Sequence, residues 1–265
     1  MNKFLAILYD SLLEIKSGKI LYLYGIVVVF LIVLFALLPN VNFMGTDILD
    51  DDFLTPDMVA KGLGYFFDGY WGFVIFLMVF GTAWLMPSYL SKGRIELALS
   101  KPIDRLSLLS MKFVSVYLIK LAILTVMSVL VWLVISLKVG MFVWTFFYGL
   151  FFSYVIFLCI FAIVFFFGVL SRSGALSVMG YFVISFSAGM LSGREMVYGF
   201  LGDSVWKTVL DVLYTILPKF SEMDANYVAL MTGEGLINGY AIWTTLAFAV
   251  VIYLVTLLVF NRRDY

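Results

Sequence analysis

Apolar residues run almost unbroken through this chain, and polar residues gather in a few short intervals. A helix that crosses a bilayer needs about 20 apolar residues at about 1.5 Å each. Six stretches meet that length: roughly 20–38, 70–90, 106–137, 142–170, 175–191 and 241–260. Residues 2–19 follow another pattern. Phe4, Leu8, Leu12 and Ile15 recur at helical spacing, with Lys3, Asp10, Glu14, Lys16 and Lys19 making the polar side. This predicts an amphipathic helix lying in the interface and leading into the first span. A signal peptide would need a shorter apolar core and a small-residue cleavage site.

The third stretch is longer than a bilayer requires. A helix over 105–137 measures about 50 Å, against about 30 Å of hydrocarbon. Its first turns therefore project from the membrane, and Lys112 falls near the headgroups. Lys120 falls inside the span, where snorkelling along lipid is the expected resolution.

The polar intervals differ in sign. Residues 39–69 carry Asp47, Asp50, Asp51, Asp52, Asp57 and Asp68 against Lys61. The interval 192–240 contains a short helix over 203–217, with Asp203 as its cap and Val205, Val209, Val212, Leu213 and Ile216 on one side. Lys207 and Asp211 are spaced for an i,i+4 pair, and Pro218 ends the helix. It is too short to span, so an external helical hairpin at the outer interface is expected before the last span. The basic residues are lopsided. Lys3, Lys16, Lys19, Lys92, Arg94, Lys101, Arg105, Lys112, Arg172, Arg262 and Arg263 fall on one side of a six-span topology, and Lys61, Lys138, Arg194, Lys207 and Lys219 on the other. The positive-inside rule makes the first side cytoplasmic, with both termini there.

Composition agrees with this reading. Of 265 residues, 64% are hydrophobic and 13% charged, and the mean hydropathy is +1.09. Soluble domains have about half their residues apolar and about a quarter charged. The expected class is an all-α, multi-pass protein of the cell membrane with six transmembrane helices, built as a single transmembrane domain over 1–265. Candidate chemistry is sparse. No histidine is present, and the one cysteine, Cys159, lies within a span. A Gly-x-x-x-x-Gly-Lys-Ser/Thr phosphate loop is missing, so no ATP hydrolysis by this chain is expected. The spans hold few acidic groups of the kind that ion-coupled carriers use. The Asp50-Asp51-Asp52 run lacks calcium-loop spacing, and the thirteen methionines are scattered. No metal, no cofactor in this chain and no nucleic-acid partner are expected.

The densest charge lies in residues 90–112, between the second and third spans. Residues 94–99 can form a short helix that sets Ile95, Leu97, Ala98 and Leu99 against Arg94 and Glu96. Pro102 stops it, because its ring bars the preceding residue from helical angles. Asp104 can cap the following helix by accepting its free N–H groups. On these residues alone two readings stand level. One is a helix that a soluble partner pushes on; the other is a basic loop that only fixes topology.

Gly93, Ile95, Glu96, Leu97, Leu99, Ser100, Lys101, Pro102, Ile103, Arg105 and Lys112 resemble the cytoplasmic signature of the type-2 ABC transporter permeases. That signature runs approximately Glu-x-Gly-Thr-Leu-Glu-Leu-Leu-Leu-Ser-x-Pro-Ile-Ser-Arg. Ser91 replaces the usual acid and Arg94 the usual Thr or Ser. The ending Phe260-Asn261-Arg262-Arg263-Asp264-Tyr265 resembles the Phe-x-Arg-Arg-Asp ending of the same family, in the branch related to nitrous-oxide-reductase maturation permeases. The resemblance implies an exporter-type membrane subunit without its own ATPase. It implies two separately encoded ABC ATPase subunits, which supply ATP and Mg chemistry. It also implies a second copy of this chain or a sister permease. The segment Gly93, Arg94, Ile95, Glu96, Leu99, Ser100, Lys101, Pro102, Ile103, Asp104 and Arg105 would carry the ATPase motion, and Arg262, Arg263 and Asp264 would form a cytoplasmic C-terminal motif. Two alternatives remain. One is a mechanotransmitting complex that works on a periplasmic or lipid partner; the other is an ATPase-independent channel or scaffold.

Overall fold

The computed structural model describes residues 3–37, 42–43, 46–47, 56–100, 103–139, 142, 144–201 and 205–263. Its helices are α1 Lys3–Ser17, α2 Ile20–Leu37, α3 Pro56–Ala83, α4 Leu85–Tyr89, α5 Arg94–Leu99, α6 Arg105–Val139, α7 Phe146–Ser171, α8 Gly174–Ser192, α9 Arg194–Leu201, α10 Val205–Ile216, α11 Phe220–Met231 and α12 Gly239–Asn261. Two two-residue strands, β1 Asn42–Phe43 and β2 Thr46–Asp47, pair antiparallel, with Asn42 opposite Asp47. Among the described residues the rest is helix and the short turns between helices. Five segments are long and apolar enough to cross a membrane: Gly69–Tyr89, Arg105–Leu137, Phe146–Ser171, Gly174–Ser192 and Gly239–Asn261. The pair α1 and α2, bent by 64°, brings the number to six if it is counted as one span. The far end of the first expected span, at residue 38, lies outside the described residues.

The core is α7. It is apolar all round, as a helix buried on every side must be. In its most apolar window 72% of residues are buried, against 17% in α12, so α12 keeps an outer face for lipid. Around α7 stand α3, α8 and α12, while α6 carries α1 and α2 on its other flank. Helices α3, α7 and α12 run the same way. Gly168 lies against Met86 just past the end of α3, and Arg263 reaches Val169, so their last turns share the end of the bundle that bears α5. Helix α10 and Lys219 lie toward the first turns of α12, at the opposite end.

Several boundaries differ from the sequence reading. The apolar span Gly69–Tyr89 matches the second expected span, but the helix that carries it, α3, already starts at Pro56. A proline at the first helical position loses nothing, since its missing N–H has no partner there in any helix. At its other end α3 stops at Ala83, four residues before Pro87. The Pro87 ring would clash with that carbonyl, so the chain breaks at Trp84 and restarts as α4. The interval 192–240 holds α9 and α11 besides the expected α10. Asp203, its expected cap, lies outside the described residues.

The interfacial helix also turns differently. Ser11 and Ile15 of α1 are buried, Leu12 is 43% exposed, and Glu14 faces the bundle instead of belonging to a solvated polar side. Lys120 does not snorkel into lipid. It is fully buried, and its ammonium donates to the Tyr24 hydroxyl at 2.8 Å and the Gly81 carbonyl at 3.0 Å. Gly81 makes that approach possible, because a Cβ there would overlap the Tyr24 hydroxyl oxygen. A buried charge is tolerable only when hydrogen-bonded in this way.

Candidate functional site

The α5 end gathers most of the residues singled out from the sequence. Its geometry starts at Gly93, which precedes α5 with φ 90°, a left-handed value that favours glycine. That turn lets the chain leave α4 and start a new six-residue helix over Arg94–Leu99, the range expected. Ser100 closes the helix, its N–H donating to the Glu96 carbonyl and its hydroxyl to the Leu97 carbonyl. Lys101 and Pro102 lie outside the described residues, as does the side chain of Leu99. Ile103 is half-buried, and Asp104 Oδ2 accepts from the Ser107 N–H at 3.3 Å. Asp104 thus caps α6 as its spacing suggests, and Arg105 stands exposed at the first position of that helix.

The two faces of α5 are unlike. Ile95 is 3% exposed and joins the bundle core. Glu96 is exposed, and Leu97 is 71% exposed. Leu97 therefore does not sit against the bundle beside Ile95, as the sequence suggests. At about 100° per residue, positions 95 and 97 of one helix point nearly opposite ways. The helix is held by one side and offers the other.

What holds it is a charge network that the sequence reading misses. Arg94 Nη1 donates to Glu14 Oε1 at 2.8 Å and to Ser88 Oγ at 2.7 Å. Lys112 Nζ donates to Glu14 Oε2 at 2.8 Å, lies 3.4 Å from Asp10 Oδ2, and sits 4.8 Å from the centre of the Tyr89 ring. Glu14 thereby bridges α5 to α6 through α1. Its side chain is 10% exposed and that of Lys112 is fully buried. Two carboxylates meet two cations, so the network is neutral as a group. A signal for it exists in the sequence. Asp10 and Glu14 are like charges at i,i+4, which repel on an isolated helix and call for cations facing them. Beside the network, a pocket of about 620 Å³ opens between the α1–α2 bend and α4, with Glu14, Trp84, Ser88 and Arg94 in its wall.

The C-terminal motif returns to the same end. Arg263 Nη1 donates to the Val169 carbonyl at 2.9 Å, in the last turn of α7, where helix carbonyls lack partners and the dipole favours a cation. Arg262 is exposed, and Asp264 lies outside the described residues. The Tyr253 hydroxyl donates to Ser110 Oγ at 2.7 Å, tying α12 to α6 near by.

The opposite end carries a second charged cluster. Asp211 of α10 accepts from Arg194 Nε at 3.0 Å and from the Tyr198 hydroxyl, both on α9. The ammonium of Lys207, the residue spaced i,i+4 from Asp211, sits 5.9 Å from the Tyr198 ring centre. The Tyr198 hydroxyl and the Arg194 guanidinium hold the Asp211 carboxyl below its ordinary value. Lys219 is pulled below the usual lysine range by burial and then by the Arg194 charge. Burial pushes Glu222 up, against a hydrogen bond from Asn238. Among the described residues no group of three metal-ligating side chains occurs at either end. No protein-family model, no curated protein and no solved structure matches this chain.

Proposed function

We propose that this chain is the membrane subunit of an ATP-driven, exporter-type transporter of the cell membrane, and that α5 is where a separate ATPase docks. In this reading the α5 end is cytoplasmic and α1–α2 supplies the first of six spans. The segment α9–α11 caps the external side, and a second copy or a sister permease completes the path. ATP hydrolysis belongs to the partner ATPase subunits, two per complex.

The observation that carries the reading is the two-faced α5. A short helix stapled by Ile95, Arg94 and Glu14 to the bundle, with Glu96 and Leu97 turned outward, can receive a push and pass it on. The basic excess at this end supports the cytoplasmic assignment, and so does the resemblance of residues 93–105 to the type-2 permease signature. One feature favours the mechanotransmitting alternative. Helix α10 has no buried residue and leaves Val205, Trp206 and Ile216 more than half exposed, which suits an external or lipid-borne partner.

The test is a charge reversal on the outward face. Glu96→Arg places an unmatched charge against a docked partner. Losing one half of a desolvated, hydrogen-bonded pair costs about 2–5 kcal/mol of association, and a rim charge much less. Glu96→Arg is therefore expected to lower co-purification of the ATPase and its stimulated hydrolysis, with the membrane subunit still folded. Lys16→Glu on α1 should leave both near wild type. Equal association of wild type and Glu96→Arg would make the segment a topology determinant only.

A further inference from the structure

Along the side of the bundle, α1, α2 and α6 enclose an apolar groove of about 790 Å³, within the size range of small-ligand sites. On α6 it runs from Leu118 to Leu130, about 18 Å of helix. One leaflet of bilayer hydrocarbon is about 15 Å deep, half of the full core. The groove thus has about the depth of a single leaflet. Its lining includes Ile15 and Lys16, which directly follow Glu14 in the chain and mark the end toward the α5 side.

Its two ends differ chemically. At the deep end the wall is Val29 and Leu130; at the α5 side Lys16 joins the lining. The Lys16 ammonium makes no ion pair or hydrogen bond among the described residues, and neither does that of Lys19 at the α1–α2 bend. The acids of α1 that could have neutralised them, Asp10 and Glu14, are engaged with Lys112 and Arg94. The groove mouth therefore carries the uncompensated charge of Lys16, with that of Lys19 three residues further along the chain. The groove is also kept open. Gly25 lines it with nothing within 4 Å of where a Cβ would stand, and Tyr24 in its wall is fixed by the bond from Lys120.

We propose that this groove holds an acyl chain of an anionic phospholipid from the leaflet on the α5 side, with the phosphate against Lys16 and Lys19. An acyl chain gains no hydrophobic energy by leaving lipid for an equally apolar groove, because the two surroundings are alike. Selection rests on the headgroup. Two lysines near an anionic headgroup give a preference on the order of tenfold or more over a zwitterionic one. The bound lipid braces α1 against α6 on the side away from Glu14. The site does not depend on the ATPase reading.

The test uses the full chain in nanodiscs of phosphatidylglycerol and phosphatidylcholine in equal parts, with retained lipid counted by native mass spectrometry. Wild type should retain phosphatidylglycerol about tenfold over phosphatidylcholine. Gly25→Phe fills the groove from α2 and should abolish the retention. Ala122→Phe fills it from α6 and repeats the test should the first variant fold poorly. Lys16→Gln changes no packing and should lower the preference severalfold. The proposal is overturned if wild type retains both lipids equally, or if both groove-filling variants retain phosphatidylglycerol as wild type does. It is also overturned if Val126→Cys forms a disulfide between two copies in the nanodisc, which would mean that a second chain covers the groove.

Discussion

The two charged clusters of this protein use similar groups to different ends. At the α5 end, Glu14 reaches Arg94 and Lys112, which lie 80 and 98 residues away in the chain. At the opposite end, Asp211 of α10 reaches Arg194 of α9, only 17 residues away. Lys112 is fully buried, while the Asp211 side chain is 54% exposed. A distant, shielded pair joins elements that lie far apart in the chain. A local, wet pair trims the geometry of a hairpin already close in sequence. Salt bridges in water contribute about 0–1 kcal/mol, whereas breaking a buried one leaves a charge uncompensated.

The comparison predicts a graded series. The largest effect belongs to Glu14→Gln. It strips Lys112 of its nearest carboxylate, and breaking a buried pair costs about 3–5 kcal/mol. We expect the low end, because Asp10 stays 3.4 Å away. Thermal unfolding in nanodiscs should show a clear drop in midpoint, and Lys112→Met together with Glu14→Leu should recover much of it. Were Glu14→Gln as stable as wild type, the network would not be what joins α1 to α6. Arg94→Gln comes next. Its side chain is 41% exposed, so solvent screens the pair and the loss should stay under about 1 kcal/mol. Its effect should fall instead on the orientation of α5, seen as faster amide exchange over residues 94–99. Exchange equal to wild type would detach Arg94 from that role.

Acid gives the smallest change and tests the other end. Asp211 has a folded pKa below its unfolded value, so its contribution is complete above the ordinary carboxylate range and is lost as pH falls through the folded value. Amide protection of residues 205–216, corrected for intrinsic rates, should hold from about pH 7 to about pH 4 and decline only below. Asp211→Asn should remove that acid step. A decline already complete near pH 5 would contradict the hold of Tyr198 and Arg194 on this carboxylate.

Much of the frame was legible in the chain, for physical reasons that also mark where legibility stops. Length and hydropathy locate α6, α7, α8 and α12 to within a few residues, because a bilayer imposes a minimum span. Gly93 and the charges around it delimit α5, and Asp104 is readable as a cap. What could not be read is which way a side chain points. A helix apolar on all sides has no amphipathic period, so nothing in the sequence turns Lys120 toward Tyr24. The step of about 100° per residue that sends Leu97 away from Ile95 is, by contrast, legible in their spacing. The partnership of Glu14 with Lys112 joins residues with nearly a hundred others between them. Only the repulsive spacing of Asp10 and Glu14 hints at it. Helices α9 and α11 were missed because they are only 8 and 12 residues long and carry no span-length apolar signal.

The outward face of α5 is the point on which the functional account turns. A photo-crosslinking residue placed at position 97, and in a second protein at position 95, compares the exposed and buried faces of one short helix in intact cells. The account predicts that position 97 captures a subunit that mass spectrometry identifies as carrying a phosphate-loop ATPase sequence, while position 95 yields only contacts within the membrane subunit. Capture of no such ATPase from position 97, or equal capture from both positions, would contradict it.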